Sequence, residues 1–391
     1  MKVLMLLEGE FPYDERVEKE ALSLKGAGYE VDIFALSFSQ RKDVDTYKGI
    51  KVFSPFVSKL LFKFYPALLV FPVYKWARRK QIIRLTGSER YDVIHVHDLP
   101  MSSLGYWLKE RYHAKLVCDQ HELYSEWIGR TAHMNTMAGR LIMFFSNWKK
   151  YEQKYLSRAD LIITVSENLR ELYIRLHNIE GEKIISVPNT PLKRDIQVQP
   201  ADLGLKEKYK GRFVLFYGGM IDILRGIDLA IKAIPLIRKE IPNVVVVLAG
   251  RIRKGCDPVG LAKDLGVEDH VEYVGFLNPQ ELRAYMDAST ICFATLPADS
   301  LEINNTIITK IYQYALAHKP ILTGQALMMK DFVTQYNLGM AANEKDPENL
   351  AKTIFEMKAK LSSFTFNIPE YILFWDYTSE ILLKKYLFLK Y

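Results

Sequence analysis

The chain has 391 residues and a formal net charge of +7, and 49% of its residues are hydrophobic and 25% charged. This length and composition are typical of a globular protein with two or three domains. The sequence contains no short repeat, low-complexity tract or nucleic-acid-binding motif. Its three cysteines form no CxxC pair, which argues against a disulfide framework or a zinc site and favours a reducing, cytosolic setting. The opening "MKVLMLLEGEF" is too short in apolar residues for a signal peptide and predicts a buried strand.

The positive charge is concentrated in one early segment. No acidic residue lies between Asp45 and Glu89, whereas the interval holds nine basic residues: Lys48, Lys51, Lys59, Lys63, Lys75, Arg78, Arg79, Lys80 and Arg84. They are interleaved with "LLFKFYPALLVFPVYKW", in which Lys63 and two prolines interrupt the apolar run and argue against a transmembrane helix. The segment 57–84 therefore predicts either peripheral contact with anionic lipid headgroups or a core helix with a solvated basic face.

Short apolar runs alternate with helical patterns along the first half. The runs that predict strands are "KVLMLL", "EVDIFAL", "DVIHVH", "AKLVCD", "DLIITV" and "KIISVP". Between the first two, residues 15–27 form a helical pattern that ends at Gly28, a residue typical of helix C-termini. Apolar strands that alternate with helices predict a parallel sheet covered on both faces.

The second half repeats this alternation. Its predicted strands are "FVLFYG", "VVVVLAG", "VEYVG", "ICFATL" and "PILTG". The two series predict an α/β protein with two Rossmann-like, doubly wound domains. The predicted boundaries are 1–190 for the N-terminal domain, 191–211 for a polar linker, 212–370 for the C-terminal domain and 371–391 for an amphipathic terminal helix.

Basic residues follow three strands of the second half. Arg225 comes after the glycine turn of Gly218 and Gly219, Arg251 follows "VVVVLAG", and Lys310 begins a helix after "ICFATL". The carboxyl ends of these strands should share one edge of the sheet. A lysine in the first turn of a helix opposes the helix dipole, so either its ammonium reaches water or an anion binds there. A diphosphate would use all of these groups; the alternative is ordinary loop cations in water.

Three stretches occupy the matching edge of the first domain: "EGEFPYDER", "HVHDLP" and "CDQHELYSEW". Imidazoles and carboxylates gathered there suit hydroxyl recognition and proton transfer, although each could be an ordinary strand-end residue. The candidates for this acceptor side are Gly9, Asp14, Arg16, His97, Asp98, Asp119, His121 and Glu122.

Two other kinds of site are disfavoured. A metal site at His95, His97 and Asp98 is not expected, because in a strand the two histidines share a face while Asp98 points away. Neither glycine-containing loop reads GxGxxG, which argues against a dinucleotide-dependent dehydrogenase.

In their order and spacing, several stretches resemble the retaining glycosyltransferases of family 4. The similar stretches are "FPYDERVEKEALSLKGAGYEV", "HDLP", "LVCDQHELYSEW", "ADLIITVSENLRELY", "IISVPNTP", "YGGMIDILRGIDLAIKAI" and "TKIYQYALAHKPIL". The resemblance covers nearly the whole chain. It implies the GT-B fold, in which two Rossmann-like domains face each other across a cleft and the last helix crosses back to the first domain. It also implies hexosyl transfer with retention, without a metal or other cofactor.

The resemblance further implies roles for single residues. Lys310 and Arg225 would bind the diphosphate of the donor and stabilise the charge that grows on it, while His121 would face the donor sugar. Phe276 and Leu277, just after Gly275, would contact the nucleotide base. The remaining donor contacts would come from Gly218, Gly219, Arg251, Asn305, Thr309 and Gln313.

Three positions depart from the pattern of the family. Met220 stands where members often have an arginine, and Asn305 and Gln313 stand where many carry glutamates. A glutamine can still accept a hydrogen bond from a ribose hydroxyl through its amide oxygen, but without charge.

The sequence thus predicts a cytoplasmic transferase that moves a hexose from a UDP- or GDP-sugar to a glycan or lipid-linked acceptor, in polysaccharide or glycolipid biosynthesis. It predicts no nucleic-acid partner, and the basic segment 57–84 leaves peripheral contact with the inner face of a membrane open. Two alternatives remain open: a degenerate copy that binds a nucleotide-sugar or glycan without turnover, and a sugar-nucleotide epimerase of the same fold.

Overall fold

The computed structural model describes residues 1–39, 42–59, 62, 72–130 and 147–389. The chain divides into two units. Unit 1 comprises Met1–Pro188 together with the end of the chain from Thr378, and unit 2 comprises Asn189–Tyr377. Each unit is organised around its own sheet.

An eight-stranded sheet forms the centre of unit 1. Its strands are β1 (Lys2–Leu6), β2 (Glu30–Phe34), β3 (Val44–Tyr47), β4 (Ile50–Phe53), β5 (Val93–His97), β6 (Lys115–Gln120), β7 (Leu161–Thr164) and β8 (Ile184–Ser186). The spatial order is β3-β4-β2-β1-β5-β6-β7-β8, and all neighbours are parallel except the antiparallel β3–β4 pair. The direction of winding reverses between β1 and β5, and ligands of doubly wound sheets bind at the carboxyl ends of strands beside such a point.

Helices cover this sheet. They are α1 (Glu15–Gly26), α2 (Pro72–Thr86), α3 (Ser102–Tyr112), α4 (Tyr124–Arg130), α5 (Trp148–Leu156) and α6 (Glu167–His177). Asp14 caps α1 by accepting hydrogen bonds from the amides of Arg16 and Val17, and Ser166 caps α6 in a similar way. Strands β1, β5 and β6 bury side chains on both faces, which places them at the centre of the core.

A six-stranded, all-parallel sheet forms the centre of unit 2. Its strands are β9 (Phe213–Gly218), β10 (Val244–Ala249), β11 (Val271–Gly275), β12 (Ile291–Ala294), β13 (Ile321–Thr323) and β14 (Gly339–Ala341). The spatial order is β11-β10-β9-β12-β13-β14, so the winding reverses between β9 and β12. The glycine turn lies at the end of β9, directly beside this reversal.

Among the described residues, the helices of unit 2 are more numerous than those of unit 1, and several have only four residues. They are α7 (Lys193–Ile196), α8 (Leu205–Lys208), α9 (Ile227–Glu240), α10 (Pro258–Asp264), α11 (Pro279–Ala288), α12 (Leu301–Asn304), α13 (Thr309–Leu316), α14 (Leu327–Gln335), α15 (Pro347–Ala359) and α16 (Glu370–Leu373). The last helix, α17 (Trp375–Phe388), begins in unit 2, and its residues from Thr378 onward belong to unit 1.

The predicted strands and the α/β class agree with the structure, and three features differ from the expectation, the first being strand β14, which was not predicted. The β3–β4 hairpin was not expected, and the segment 191–211 contains two short helices whose Ile196, Leu205 and Tyr209 lie in the core of unit 2. Of the basic segment 57–84, residues 60–61 and 63–71, including Lys63, lie outside the described residues. In the part of the chain that is described, no helix has both the length and the apolar character needed to cross a membrane.

Candidate functional site

Lys310 is the second residue of α13, whose first turn contains no acidic side chain. Its side chain is half-buried, and its ammonium lies 4.0 Å from the centre of the Tyr217 ring. Burial, and after it the charge of Arg225, holds the pKa of Lys310 well below its usual value, and no carboxylate of the described residues offsets this. A desolvated cation at the positive end of a helix would be stabilised by an anionic ligand.

The glycine turn leaves room for this lysine. Gly219 has a φ of 145°, and a Cβ at this position would overlap the Lys310 ammonium. On the other side, a Cβ at Gly250 would overlap the carbonyl of Gly219. The amide of Gly218 donates to the Tyr314 hydroxyl at 3.1 Å. Glycine is therefore required at 219 by both its backbone conformation and the close approach of Lys310.

Arg225 ends a single 3-10 turn, Ile223–Arg225, just before α9. Asp222 caps this turn by accepting from the Leu224 amide at 3.2 Å, and its other oxygen accepts from Arg253 at 2.6 Å. Burial alone would raise the pKa of Asp222, but the hydrogen bonds from Arg253 and the Leu224 amide, together with the charges of Arg253 and Arg225, outweigh it and lower the pKa. Asp222 thus fixes the turn that presents Arg225.

Arg251 and Phe276 form a second element of this edge. The Arg251 guanidinium lies 5.1 Å from the centre of the Phe276 ring, and 70% of Phe276 is exposed. Leu277, by contrast, packs against the core of the unit. An exposed aromatic ring beside a guanidinium offers a flat surface on which a nucleotide base can stack.

The other three predicted donor residues surround the start of α13. Asn305 donates to a backbone carbonyl of α12 at 2.6 Å, and the Thr309 hydroxyl donates to a backbone carbonyl at 3.3 Å. Gln313 is half-buried and follows Lys310 by three residues, so the two side chains lie on the same side of the helix.

In unit 1, Asp119 is the centre of a buried polar cluster. Arg16 donates to its two oxygens at 2.9 and 2.8 Å and to the carbonyl of Val187 at 2.9 Å, and it forms an ion pair with Glu20 at 3.0 Å. Burial would raise the pKa of Asp119, but Arg16 and then His121 outweigh it and hold the pKa well below its usual value. Burial and the charge of Asp119 raise the pKa of Glu20. Arg16 therefore faces the interior, where it fixes Asp119.

His121 lies between two carboxylates. Its Nε2 is 2.7 Å from Asp119 Oδ2, its Nδ1 is 3.5 Å from Asp98 Oδ2, and its backbone amide donates to Asp98 Oδ1 at 3.2 Å. Burial alone would lower the pKa of His121, but Asp98 and Asp119 outweigh it and raise the pKa to about 10. At neutral pH the ring is an imidazolium, which can donate hydrogen bonds but cannot act as a base.

Asp98 reaches His121 through an unusual backbone. Its φ is 60° at the end of β5, a conformation that costs a non-glycine residue about 1–3 kcal/mol. Its amide donates to the carbonyl of Asp119 at 2.8 Å, which ties this strand end to β6. Burial raises the pKa of Asp98, although the charge of His121 opposes this effect.

His95 and His97 are electrostatically different from His121. Their rings stack 4.5 Å apart, both are fully buried, and burial lowers the pKa of each. His97 Nδ1 lies 3.3 Å from Asp119 Oδ2, and His95 Nδ1 lies 2.6 Å from the Tyr386 hydroxyl of α17. The cluster thus contains one imidazolium and two neutral imidazoles.

This cluster has the spacing of a cation site. Donor atoms of Glu20, His95, His97 and Asp119 lie within 4.8 Å of one another. Arg16, however, already contacts both carboxylates of this group. The buried guanidinium supplies the positive charge that a metal ion would otherwise bring.

Two family models match the chain. The model "Glycosyltransferase Family 4" matches residues 16–190, and "Glycosyl transferases group 1" matches residues 211–359. The chain belongs to glycosyltransferase family 4.

A curated protein is similar to the chain in sequence, and two solved structures are similar to it in fold. An uncharacterized glycosyltransferase of Methanocaldococcus jannaschii is 23% identical over 268 residues, which cover 66% of this chain and 63% of the relative, less than two thirds of its length. Sucrose-phosphate synthase from Thermosynechococcus elongatus superposes with a TM-score of 0.77 at 15% identity, covering 100% of this chain and 99% of that one. Alr3699/HepE from Anabaena, solved in complex with UDP, superposes with a TM-score of 0.70 at 15% identity, covering 98% of this chain and 99% of that one. The fold is therefore GT-B, as the sequence predicts.

Three of the residues predicted for the acceptor side of this family 4 chain make hydrogen bonds that hold the local backbone. The carbonyl of Gly9 accepts from the Leu36 amide at 2.8 Å, Asp14 caps α1, and the carbonyl of Glu122 accepts from Tyr173 at 3.1 Å. The structure thus brings Arg16, His97, Asp98, Asp119 and His121 together, while these three residues hold the surrounding backbone.

Several polar residues of the two sites were not predicted from the sequence. They are Glu20, Tyr217, Asp222 and Tyr386. Glu20 follows Arg16 by one helical turn, a spacing that signals an ion pair. Tyr386 lies 291 residues from its partner His95, and no local pattern indicates that contact.

Proposed function

We propose that this protein is a retaining, metal-independent glycosyltransferase that moves a hexose from a UDP- or GDP-sugar to a glycan or lipid-linked acceptor in polysaccharide or glycolipid biosynthesis. The observation that carries the proposal is the Lys310 ammonium, which lies at the start of α13 against Gly219 and shares its surroundings with Arg225. Two cations, a glycine turn and a helix N-terminus together form a binding site for a diphosphate.

This arrangement also suits the chemistry of glycosyl transfer. When the bond between the anomeric carbon and the β-phosphate oxygen breaks, negative charge accumulates on that oxygen. Lys310 and Arg225 would neutralise it, and their stabilising effect grows as the bond breaks. Fixed cations at the leaving group perform the task that a divalent metal performs in other enzymes, so the proposed reaction needs none.

The rest of the donor has matching groups in unit 2. The Arg251–Phe276 pair suits the nucleotide base, and Gln313 suits a ribose hydroxyl. Alr3699/HepE has been solved with UDP and with UDP-glucose, and its similarity in fold supports a nucleotide-sugar as the ligand class.

In unit 1, the proposed task of the polar cluster is to bind sugar hydroxyls. Asp98 is half-buried and can accept hydrogen bonds from hydroxyls, while the neighbouring His121 supplies a fixed positive charge. Because His121 is already protonated, we assign it an electrostatic and orienting role.

The second candidate is a nucleotide-sugar binder without turnover. Met220, 47% exposed beside the glycine turn, provides no charge where members of the family often have arginine, and Gln313 lacks the charge of a glutamate. Both differences weaken the donor site relative to the family pattern, and they favour this candidate over an epimerase.

The test is calorimetric titration with UDP, GDP and ADP in the presence of a metal chelator. Wild type should bind one of the diphosphates, Lys310→Ala should not, and Lys358→Ala, at an exposed lysine of α15, should bind like wild type. Absence of binding in wild type, or equal binding by Lys310→Ala, would refute the diphosphate site.

Product analysis with the matching sugar donors then separates the candidates. A glycoside product supports transfer. Binding without product supports the degenerate binder, and Gln313→Glu is the substitution expected to restore turnover in that case.

A further inference from the structure

Six basic side chains of unit 1 lie close together, five of them on three helices and the sixth, Arg158, on the turn that follows α5. Helix α2 packs on α3, and α3 packs on α5. Each of these basic groups lies over an aromatic ring. The pairs are Lys75 with Tyr151, Arg79 and Arg111 with Trp107, Lys80 with Trp76, Lys154 with Tyr155, and Arg158 with Tyr106. We call these six residues and their rings the basic aromatic surface.

The positive charge of this surface is not neutralised. Helix α2 has no acidic residue, and within the described ranges none of the six cations forms an ion pair. Of the nearby acids, Glu152 of α5 is buried against Ser125 and Asp160 pairs with Lys109, so Glu110 of α3 is the exposed carboxylate beside the six cations in the described ranges.

The cations also crowd one another. Burial, and after it the charges of Lys154 and Arg79, lowers the pKa of Lys75. The close approach of like charges from two helices is unfavourable in the isolated chain. An anionic partner would relieve it, so charge complementarity indicates a negatively charged ligand or surface.

The surroundings of the aromatic rings favour a bilayer over a nucleic acid as the binding partner. Proteins that bind single-stranded nucleic acid stack bases on open aromatic faces. Here the Arg158 guanidinium is 4.6 Å from the centre of Tyr106 and Arg79 is 4.9 Å from that of Trp107, and both rings are half-buried, unlike the exposed Phe276 of unit 2; Lys80 is 3.8 Å from the centre of Trp76. The same combination suits the headgroup layer, where basic groups meet phosphates and amphipathic rings enter the interface.

We infer that the basic aromatic surface docks the protein on a bilayer containing anionic phospholipids. Trp76, 57% exposed at its edge, enters the headgroup layer, while Arg79, Lys154 and Arg158 face the lipid phosphates. The inference concerns unit 1 alone and does not depend on the identity of the donor bound by unit 2. It extends the sequence-based expectation for residues 57–84 to cations of α3 and α5.

The experiment is co-sedimentation of the full chain with vesicles, without any nucleotide-sugar. One set of vesicles contains phosphatidylcholine alone, and the other contains phosphatidylcholine mixed with phosphatidylglycerol. Wild type should sediment with the anionic vesicles and should not bind the zwitterionic ones. Added salt should release the protein from the anionic vesicles. Absence of binding to anionic vesicles, or equal binding to both sets, would overturn the inference.

Charge-matched variants locate the surface. The triple variant Arg79→Gln, Lys154→Gln, Arg158→Gln should weaken vesicle binding about a hundredfold, since each cation near an anionic surface contributes about fivefold. Its control, Lys206→Gln, Lys239→Gln, Lys263→Gln, removes the same charge from exposed positions of unit 2 and should bind like wild type. An equal loss in both variants would attribute binding to net charge and refute the proposed surface.

Three further measurements complete the test. Diphosphate binding in unit 2 and the circular dichroism spectrum should be unchanged in the triple variant, which shows that it is folded. In the same buffer, a single-stranded oligonucleotide should bind wild type more weakly than the anionic vesicles do. Tighter binding of the oligonucleotide, lost in the triple variant, would overturn the bilayer in favour of nucleic acid.

Discussion

The Lys310 ammonium lies 4.0 Å from the centre of the Tyr217 ring, in surroundings that it shares with the guanidinium of Arg225. Both burial and the second cation disfavour its charge, so this arrangement costs folding stability, and a bound anion would offset that cost. If Lys310 serves binding at the expense of stability, replacing it should weaken ligand binding and stabilise the fold.

We expect Lys310→Met to abolish diphosphate binding and to raise the free energy of unfolding by about 1 kcal/mol near neutral pH. The folded pKa of Lys310 lies below its unfolded value, so the unfolded chain binds more protons and wild-type stability rises with pH between the two values. The advantage of the variant should therefore shrink as the pH increases. Chemical denaturation at several pH values measures it.

The control for this prediction is Lys358→Met, which changes an exposed lysine of α15 and should alter stability little. If Lys310→Met were less stable than wild type, the ammonium would be stabilised in the free protein, and the prediction that burial and Arg225 disfavour its charge would be wrong.

Gly219→Ala should weaken diphosphate binding at least tenfold, a loss of about 1.4 kcal/mol. The new methyl group would overlap the Lys310 ammonium and displace it from the site. Gly255→Ala is the matched control, because Gly255 also has a positive φ, 94°, but open space around its Cβ position. It should lose stability through backbone strain yet bind normally. Calorimetry compares the two, and equal loss of affinity would mean that strain alone explains the effect.

The grouping of cations at one sheet edge of unit 2 was largely predictable because they stand directly after strands. Parallel strands bring their carboxyl ends to one edge, so the positions of Gly219, Arg225 and Lys310 in the sequence place them together. The Arg251 side chain shows the limit of this reasoning. Its strand end was predictable, but its stacking on Phe276 depends on a side-chain conformation that strand order does not determine.

The polar cluster of unit 1 was predictable as a location and not as a network. Arg16 and Asp119 are 103 residues apart, and only tertiary packing shows that they form a buried pair. The β3–β4 hairpin was missed for a different reason. The residues of β3, Val44–Tyr47, are mostly exposed, so the strand lacks the apolar pattern on which the prediction of a buried strand depends.

His121 should remain charged across the physiological range, because Asp98 and Asp119 raise its pKa to about 10. Its ring resonances should therefore show no titration near pH 7 in an NMR titration. In Asp98→Asn one of the two carboxylates is lost, and the titration should move to lower pH. A wild-type ring that titrates near the ordinary histidine value, about 6.5, would contradict the two-carboxylate arrangement.

The same shift gives His121 a pH-dependent effect on stability. Its folded pKa is above the unfolded value, so the stabilisation is fully present below the unfolded pKa and is lost as the pH rises through about 10. His121→Gln should thus cost more stability in mildly acidic than in alkaline solution. Denaturation midpoints of wild type and variant across this range measure the difference, and a constant difference would refute the linkage.

Tyr386 anchors the final helix to the buried cluster through a hydrogen bond of 2.6 Å to His95 Nδ1, and both residues are inaccessible to solvent. Tyr386→Phe keeps the ring but leaves the imidazole nitrogen without this partner, so we expect a loss of about 1–3 kcal/mol in the free energy of unfolding. Tyr371→Phe, at a residue that is 65% exposed, is the control and should change stability little. Diphosphate binding in unit 2 should be the same in both variants. If Tyr386→Phe proved as stable as wild type, the bond between His95 and the final helix would contribute nothing to folding, and the neutral imidazole would have to find another partner.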